Sequence, residues 1–184
     1  MSLKPALVLA LFLILFGCSD SKKYPIESAK VDVNYYLTAL NEVESQLKSN
    51  QSNFSLRMRK LLISRELNWP EDVRSDISYL RKEMGLSYEL MQYAVDFYQT
   101  YNYHEELLAI LEEWESINSP FSRSDRLKID AYLGLGRFRE ASYRLWEYIQ
   151  SNKNNTEALL FAASNYLRLG DSTRAIYAYG RVAE

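Results

Sequence analysis

Three residues recur together at a fixed interval, and that interval constrains the fold more than any other feature of the chain. Tyr132, Gly136 and Ala141 return as Tyr166, Gly170 and Ala175, each 34 residues further on. One step earlier the same places hold Tyr98, Asn102 and Leu107, and earlier still Asn68 and Val73 keep the register, with Leu61 near the place of the Tyr. A period of this size means one small unit copied and stacked, because a single unit cannot bury its own apolar face. The unit is helical. Apolar residues follow helical spacing at Leu127, Ala131 and Leu135, and again at Ala141, Leu145, Tyr148 and Ile149. Glycine tolerates the left-handed conformation that ends a helix, and asparagine is its best substitute there, so Asn102 keeps the turn chemistry of Gly136 and Gly170. The small Ala141 and Ala175 let paired helices come close.

The breakers then delimit the helices. The pattern predicts helices over 30–48, 54–67, 71–84, 87–101, 104–117, 122–135, 138–151, 155–169 and 172–183. Asn68-Trp69-Pro70, Ser119-Pro120 and the run Asn152–Asn155 mark the joins. The whole resembles the tetratricopeptide repeat, a helix–turn–helix unit of 34 residues, over roughly 54–184. The family's Tyr, turn Gly and second-helix Ala match Tyr132, Gly136, Ala141 and Tyr166, Gly170, Ala175. The usual Trp of the first helix is replaced by Met91, Asp125 and Leu159. The usual small residue there is Val95, Ile129 and Ala163. A late Ala of the second helix is Trp114, Tyr148 and Val182.

The resemblance implies an all-α fold, an α-solenoid of antiparallel helix pairs over 30–184, clearest in repeats 88–121, 122–155 and 156–184. It also implies protein partners held on a concave face lined by the first helices. The repeat register puts Glu89, Gln92, Asp96 and Gln99 on that face in one unit, Arg123, Arg126, Asp130 and Leu133 in the next, and Leu160, Ser164, Leu167 and Arg168 in the last. Arg beside acids and Leu suits an extended peptide or a partner helix, since the guanidinium fork donates two parallel bonds to a carboxylate. Each of these residues also fits a plain solvated face. The family's carboxylate-clamp type uses Lys and Asn where this chain has Arg126, Asp130, Leu160 and Ser164, which speaks against that type of clamp. In the sequence given, the predicted final helix reaches residue 183 without a polar capping helix after it. The expectation is that further chain or a partner covers that end.

The N-terminus carries a second signal. Lys4 precedes an apolar run from Pro5 to Phe16. A membrane span needs about 20 apolar residues, so the run fits a signal-peptide core instead. Leu15-Phe16-Gly17-Cys18 follows at once and resembles the bacterial lipobox. That resemblance implies a cleaved leader at 1–17, a diacylglycerol on Cys18, a polar tether at 18–29, and attachment of the folded part to a membrane of the bacterial envelope. Ser19 rather than Asp after the cysteine favours the outer membrane, facing the periplasm.

Charge and composition exclude other classes. A net charge of −2 offers no basic face for nucleic acid. One Cys excludes an internal disulfide, and one His leaves no metal-ligand set or catalytic triad. His104 reads as a turn or surface histidine opening a helix, and Glu105-Glu106 and Glu112-Glu113 as helix acids whose neighbours point apart. Tyr93, Phe97, Tyr98, Tyr101 and Tyr103, spaced by three and four, read as helix packing rather than a sugar platform. No catalytic residue, cofactor or metal is expected. The expected role is a lipid-anchored scaffold or assembly adaptor that binds other proteins. Two alternatives stand beside it: a substrate-binding lipoprotein for nutrient capture, and the repeat portion of a longer protein whose active domain lies beyond residue 184.

Overall fold

The computed structural model describes residues 32–121 and 123–182. The expected leader at 1–17, Cys18, the tether at 18–29 and the first two residues of the expected helix at 30–48 lie outside them. Among the described residues there are nine helices. They are α1 (Val33–Ser49), α2 (Phe54–Glu66), α3 (Pro70–Met84), α4 (Tyr88–Thr100) and α5 (His104–Ile117), then α6 (Ser124–Gly134), α7 (Phe138–Ser151), α8 (Thr156–Arg168) and α9 (Ser172–Val182). Each packs chiefly on the helices before and after it in sequence, so α2–α3, α4–α5, α6–α7 and α8–α9 form successive antiparallel pairs, with α1 laid on α2. None of the described helices is long and apolar enough to cross a membrane.

The turn inside each pair shows why the period is 34. Asn68, Asn102, Gly136 and Gly170 stand at φ 56, 57, 69 and 74°, the left-handed region. Around each, the chain closes in the same way. The N–H of Arg137 donates to the carbonyl of Tyr132 at 2.8 Å, and that of Gly136 to Leu133 at 3.1 Å. The same two bonds recur at Trp69 to Ser64, Tyr103 to Tyr98, and Asp171 to Tyr166. This paired closure satisfies carbonyls that the end of a helix would otherwise leave bare. Caps open the helices at the other end. The side chains of Asn53, Ser87 and Asn155 accept from Leu56, Leu90 and Ala158 N–H.

The core runs the length of the array as one strip. The recurring Tyr98 and Tyr166, with Leu107, Ala141 and Ala175, are fully buried in it. Burial disfavours the phenolate, and the hydroxyls of Tyr98 and Tyr166 are each pushed up to about 12. Alanine at 158, 162, 163, 175 and 178 brings α8 and α9 closest of all. Leu40, Val43 and Leu47 of α1 form a smaller cluster with Ile63. The aromatic run around Tyr98 is packing, as its spacing suggests: Phe97 meets the rings of Tyr101 and Tyr103 at 4.8 and 5.8 Å.

Charged groups tie one pair to the next. Second helices are stapled by Arg74–Glu106, Arg81–Glu113 and the Tyr103 hydroxyl donating to Glu71. Between α2 and α3 the buried Asp76 accepts from Lys60 at 2.7 Å. Between α5 and α6 Glu115 accepts from both Lys128 and Ser124, which are themselves buried.

Candidate binding face

The side chains that α4, α6 and α8 leave outside their cores form one stripe per helix. On α8 the exposed positions are Glu157, Leu160, Ser164, Leu167 and Arg168, at successive turns, while Leu159, Ala162, Ala163 and Tyr166 turn inward. The α4 stripe is Glu89, Gln92, Asp96 and Gln99. The α6 stripe begins at Arg123, just before the helix, and continues with the half-buried Arg126 and Asp130. Side-chain bonds hold the three stripes next to each other. Arg123 pairs with Asp96 across α6 and α4 at 2.7 Å, and Arg126 pairs with Glu157 across α6 and α8 at 2.7 Å. Arg126 also donates to the Tyr148 hydroxyl at 2.7 Å and lies 5.2 Å from the Phe161 ring centre. The bonds to Glu157 and then Tyr148 raise its already high pKa further. Both arginines are therefore engaged within the chain.

The remaining stripe residues are mostly satisfied locally. Gln92 donates to the Tyr88 hydroxyl at 2.6 Å, and Ser164 to the carbonyl of Phe161 at 2.9 Å. Glu89 is exposed, and Leu160 and Leu167 present apolar surface at 43 and 53% exposure. Leu133 departs from the projected register. It is buried, because α6 is packed against both α5 and α7 and turns seven of its eleven residues inward.

Asp130 is different. It takes no hydrogen bond or ion pair among the described residues, and burial pushes its carboxyl up against the opposing pull of Arg168, Arg126 and His104. Asp130 and Arg168 open on a cavity of about 430 Å³ together with Gln99, Asn102, His104, Leu107, Leu127, Ala131 and Gly134. Arg168 keeps one bond inside the chain, to the Asn165 side chain at 2.9 Å.

His104 opens α5 at the turn, as its position suggests, but its ring is more enclosed than a surface histidine's. It is half-buried, and its Nδ1 is enclosed without a hydrogen-bond partner. The cause is Gly134. A Cβ built on Gly134 would stand 2.1 Å from His104 Nε2, so the imidazole occupies the space that any other residue would fill. The only sequence signal was a glycine inside a helical pattern, where the register steps hold Thr100 and Arg168.

Comparison with solved structures agrees with this geometry. A tetratricopeptide repeat protein from Parabacteroides merdae ATCC 43184 superposes with a TM-score of 0.54 at 16% identity, covering 81% of this chain and 58% of that one. MamA superposes with a TM-score of 0.59 at 12% identity, covering 88% and 95%, and the MamA structure MSR-1 C2 scores 0.59 at 12% identity, covering 83% and 88%. The fold is a tetratricopeptide-type array. This chain spans little more than half the length of the Parabacteroides protein. No family model and no curated protein matches the sequence.

Proposed function

We propose that this chain is a non-catalytic interaction scaffold of the bacterial envelope, lipid-anchored through Cys18, that holds partner proteins against the stripes of α4, α6 and α8. The observation that carries the reading is the combination on that face of exposed Leu160 and Leu167 with a cavity whose acid, Asp130, takes no hydrogen bond or ion pair among the described residues. Arg123, Arg126, Gln92 and Ser164 are bonded within the chain, which leaves apolar contact, Asp130, the remaining donors of Arg168 and the exposed Glu89 and Gln99 as the means of recognition. An unpaired, partly desolvated acid is unfavourable for the folded chain and is relieved when a partner donates to it. The anchor rests on the order of charge, apolar run and cysteine at 4–18.

A photo-crosslinking residue placed at Leu160 or Leu167 in the native host tests the face, with Tyr143 on the second helix α7 as the control position. Discrete crosslinked proteins from the first two and none from the third are expected. Equal products from all three, or none, reject the face. Incorporation of an alkyne fatty acid tests the anchor: the label and membrane retention are expected to disappear together in Cys18→Ser. Retention of both in that variant would reject it.

A further inference from the structure

Asp130 has lost a partner that its counterpart one repeat earlier possesses. Asp96 is neutralised by Arg123 of the following unit. Moving both positions forward by 34 residues gives Asp130 and Glu157, two acids. Glu157 is held by Arg126 instead, and Asp130 is left facing the cavity. Arg168 opens on the same cavity and forms no ion pair with Asp130, while its single bond to Asn165 leaves most of its five donors free. The cavity thus carries an acceptor and a donor fork that do not satisfy each other. Leu107, Leu127 and Ala131 border the cavity from within the core and expose almost no surface to it.

These features select among occupants. A cation would meet Asp130 but also the Arg168 and Arg126 guanidiniums, and an anion would meet Arg168 but also Asp130. No group of three metal-ligating side chains occurs among the described residues. A neutral group that donates at one end and accepts at the other satisfies both charges at once, and a peptide unit is such a group. We propose that the cavity seats one residue of an extended partner segment. Its main-chain N–H donates to Asp130, and the adjacent carbonyl accepts from Arg168. The cavity of about 430 Å³ lies within the range of known ligand sites. The His104 ring forms one wall, fixed by the absence of a side chain at Gly134. This inference rests on the scaffold reading and specifies the class of contact at its centre.

The test uses the full chain in detergent, labelled with nitrogen-15, and N-acetyl-leucine N-methylamide as the probe. The expected result is a saturable millimolar shift of the Asp130 and Gly134 amides and of the Arg168 side-chain N–H. Asp130→Ala or Arg168→Gln is expected to weaken it about tenfold or more, with the other resonances of the fold unmoved. Butylammonium and acetate are expected to leave these signals in place. No saturable shift, binding unchanged in both variants, or tighter binding of free leucine than of the capped form would overturn the inference. If that happens while Leu160 and Leu167 still crosslink to partners, the peptide seat fails and the scaffold reading survives.

Discussion

Replacing Gly134 by alanine sets two opposite effects against each other at one atom. Gly134 is the last residue of α6, has no positive φ to protect, and in a helix interior alanine is favoured over glycine by about 0.5–1 kcal/mol. Against that, the new methyl would lie 2.1 to 2.5 Å from three atoms of the His104 ring, far inside contact distance. The ring must leave its half-buried place or the helices must separate, and overpacking of this kind costs about 1–3 kcal/mol. Gly134→Ala alone is therefore expected to be destabilising, by up to about 2.5 kcal/mol, the difference of the two effects. In a His104→Ala background the clash is gone and the same substitution should stabilise by about 0.5–1 kcal/mol. The double-mutant cycle reads the coupling directly, of the order of 1–3 kcal/mol. Urea unfolding followed by circular dichroism gives each value. Thermal midpoints should follow at about 2–4 °C per kcal/mol for a chain of this size. If Gly134→Ala were stabilising in both backgrounds, the imidazole would not occupy that space, and the account of the cavity wall would be wrong.

Further perturbations follow from the same geometry. Gly136→Ala should cost about 1–2 kcal/mol from backbone strain alone, since φ is 69° and nothing lies within 4 Å, while Gly136→Asn should cost clearly less in the same urea assay, as Asn68 and Asn102 already adopt this conformation. Glu115→Ala should destabilise by about 3 kcal/mol because it strands the buried Lys128, and Glu115→Ala with Lys128→Met should recover most of the loss in equilibrium unfolding. Asp130 is held above its ordinary 3.8, so the folded state binds the extra proton and loses stability as pH rises through the raised value. Asp130→Asn should therefore raise the thermal midpoint at neutral pH and have no effect below about 3.8. Tyr98 and Tyr166 are raised from 10.0 to about 12, so stability should fall as pH climbs between those values, and Tyr166→Phe should flatten that part of the profile.

The repeat makes most of the architecture legible in the sequence, because each copy tests the others. Four left-handed turns at 34-residue steps fixed the helix pairs within one or two residues, and even the Asn-for-Gly exchange at 102 kept its conformation. The exposed positions of the three stripes followed from the same register, except at Leu133, which is buried. The pairing of charges across them did not. Whether Arg123 meets Asp96, or Arg126 meets Glu157, depends on how far adjacent units are offset, and a period along one chain carries no such information. The cavity was hidden for a related reason. It is built where two copies differ, with Gly134 standing at the step occupied by Thr100 and Arg168, and Glu157 where Arg123 stood before. Periodicity reveals what is repeated, and the unpaired Asp130 arises from what is not.

The succession of contacts, each helix resting on its sequence neighbours, has a consequence for how such a chain acquires its shape. Among the described residues each helix finds its main contacts close by in sequence, so loop-closure entropy stays small and structure grows outward from any pair that forms. A chain delivered end first, through a ribosome exit or a narrow translocation channel, could consolidate pair by pair in the order of its emergence. The step from α3 to α4, where neighbours touch least, is where that growth would pause.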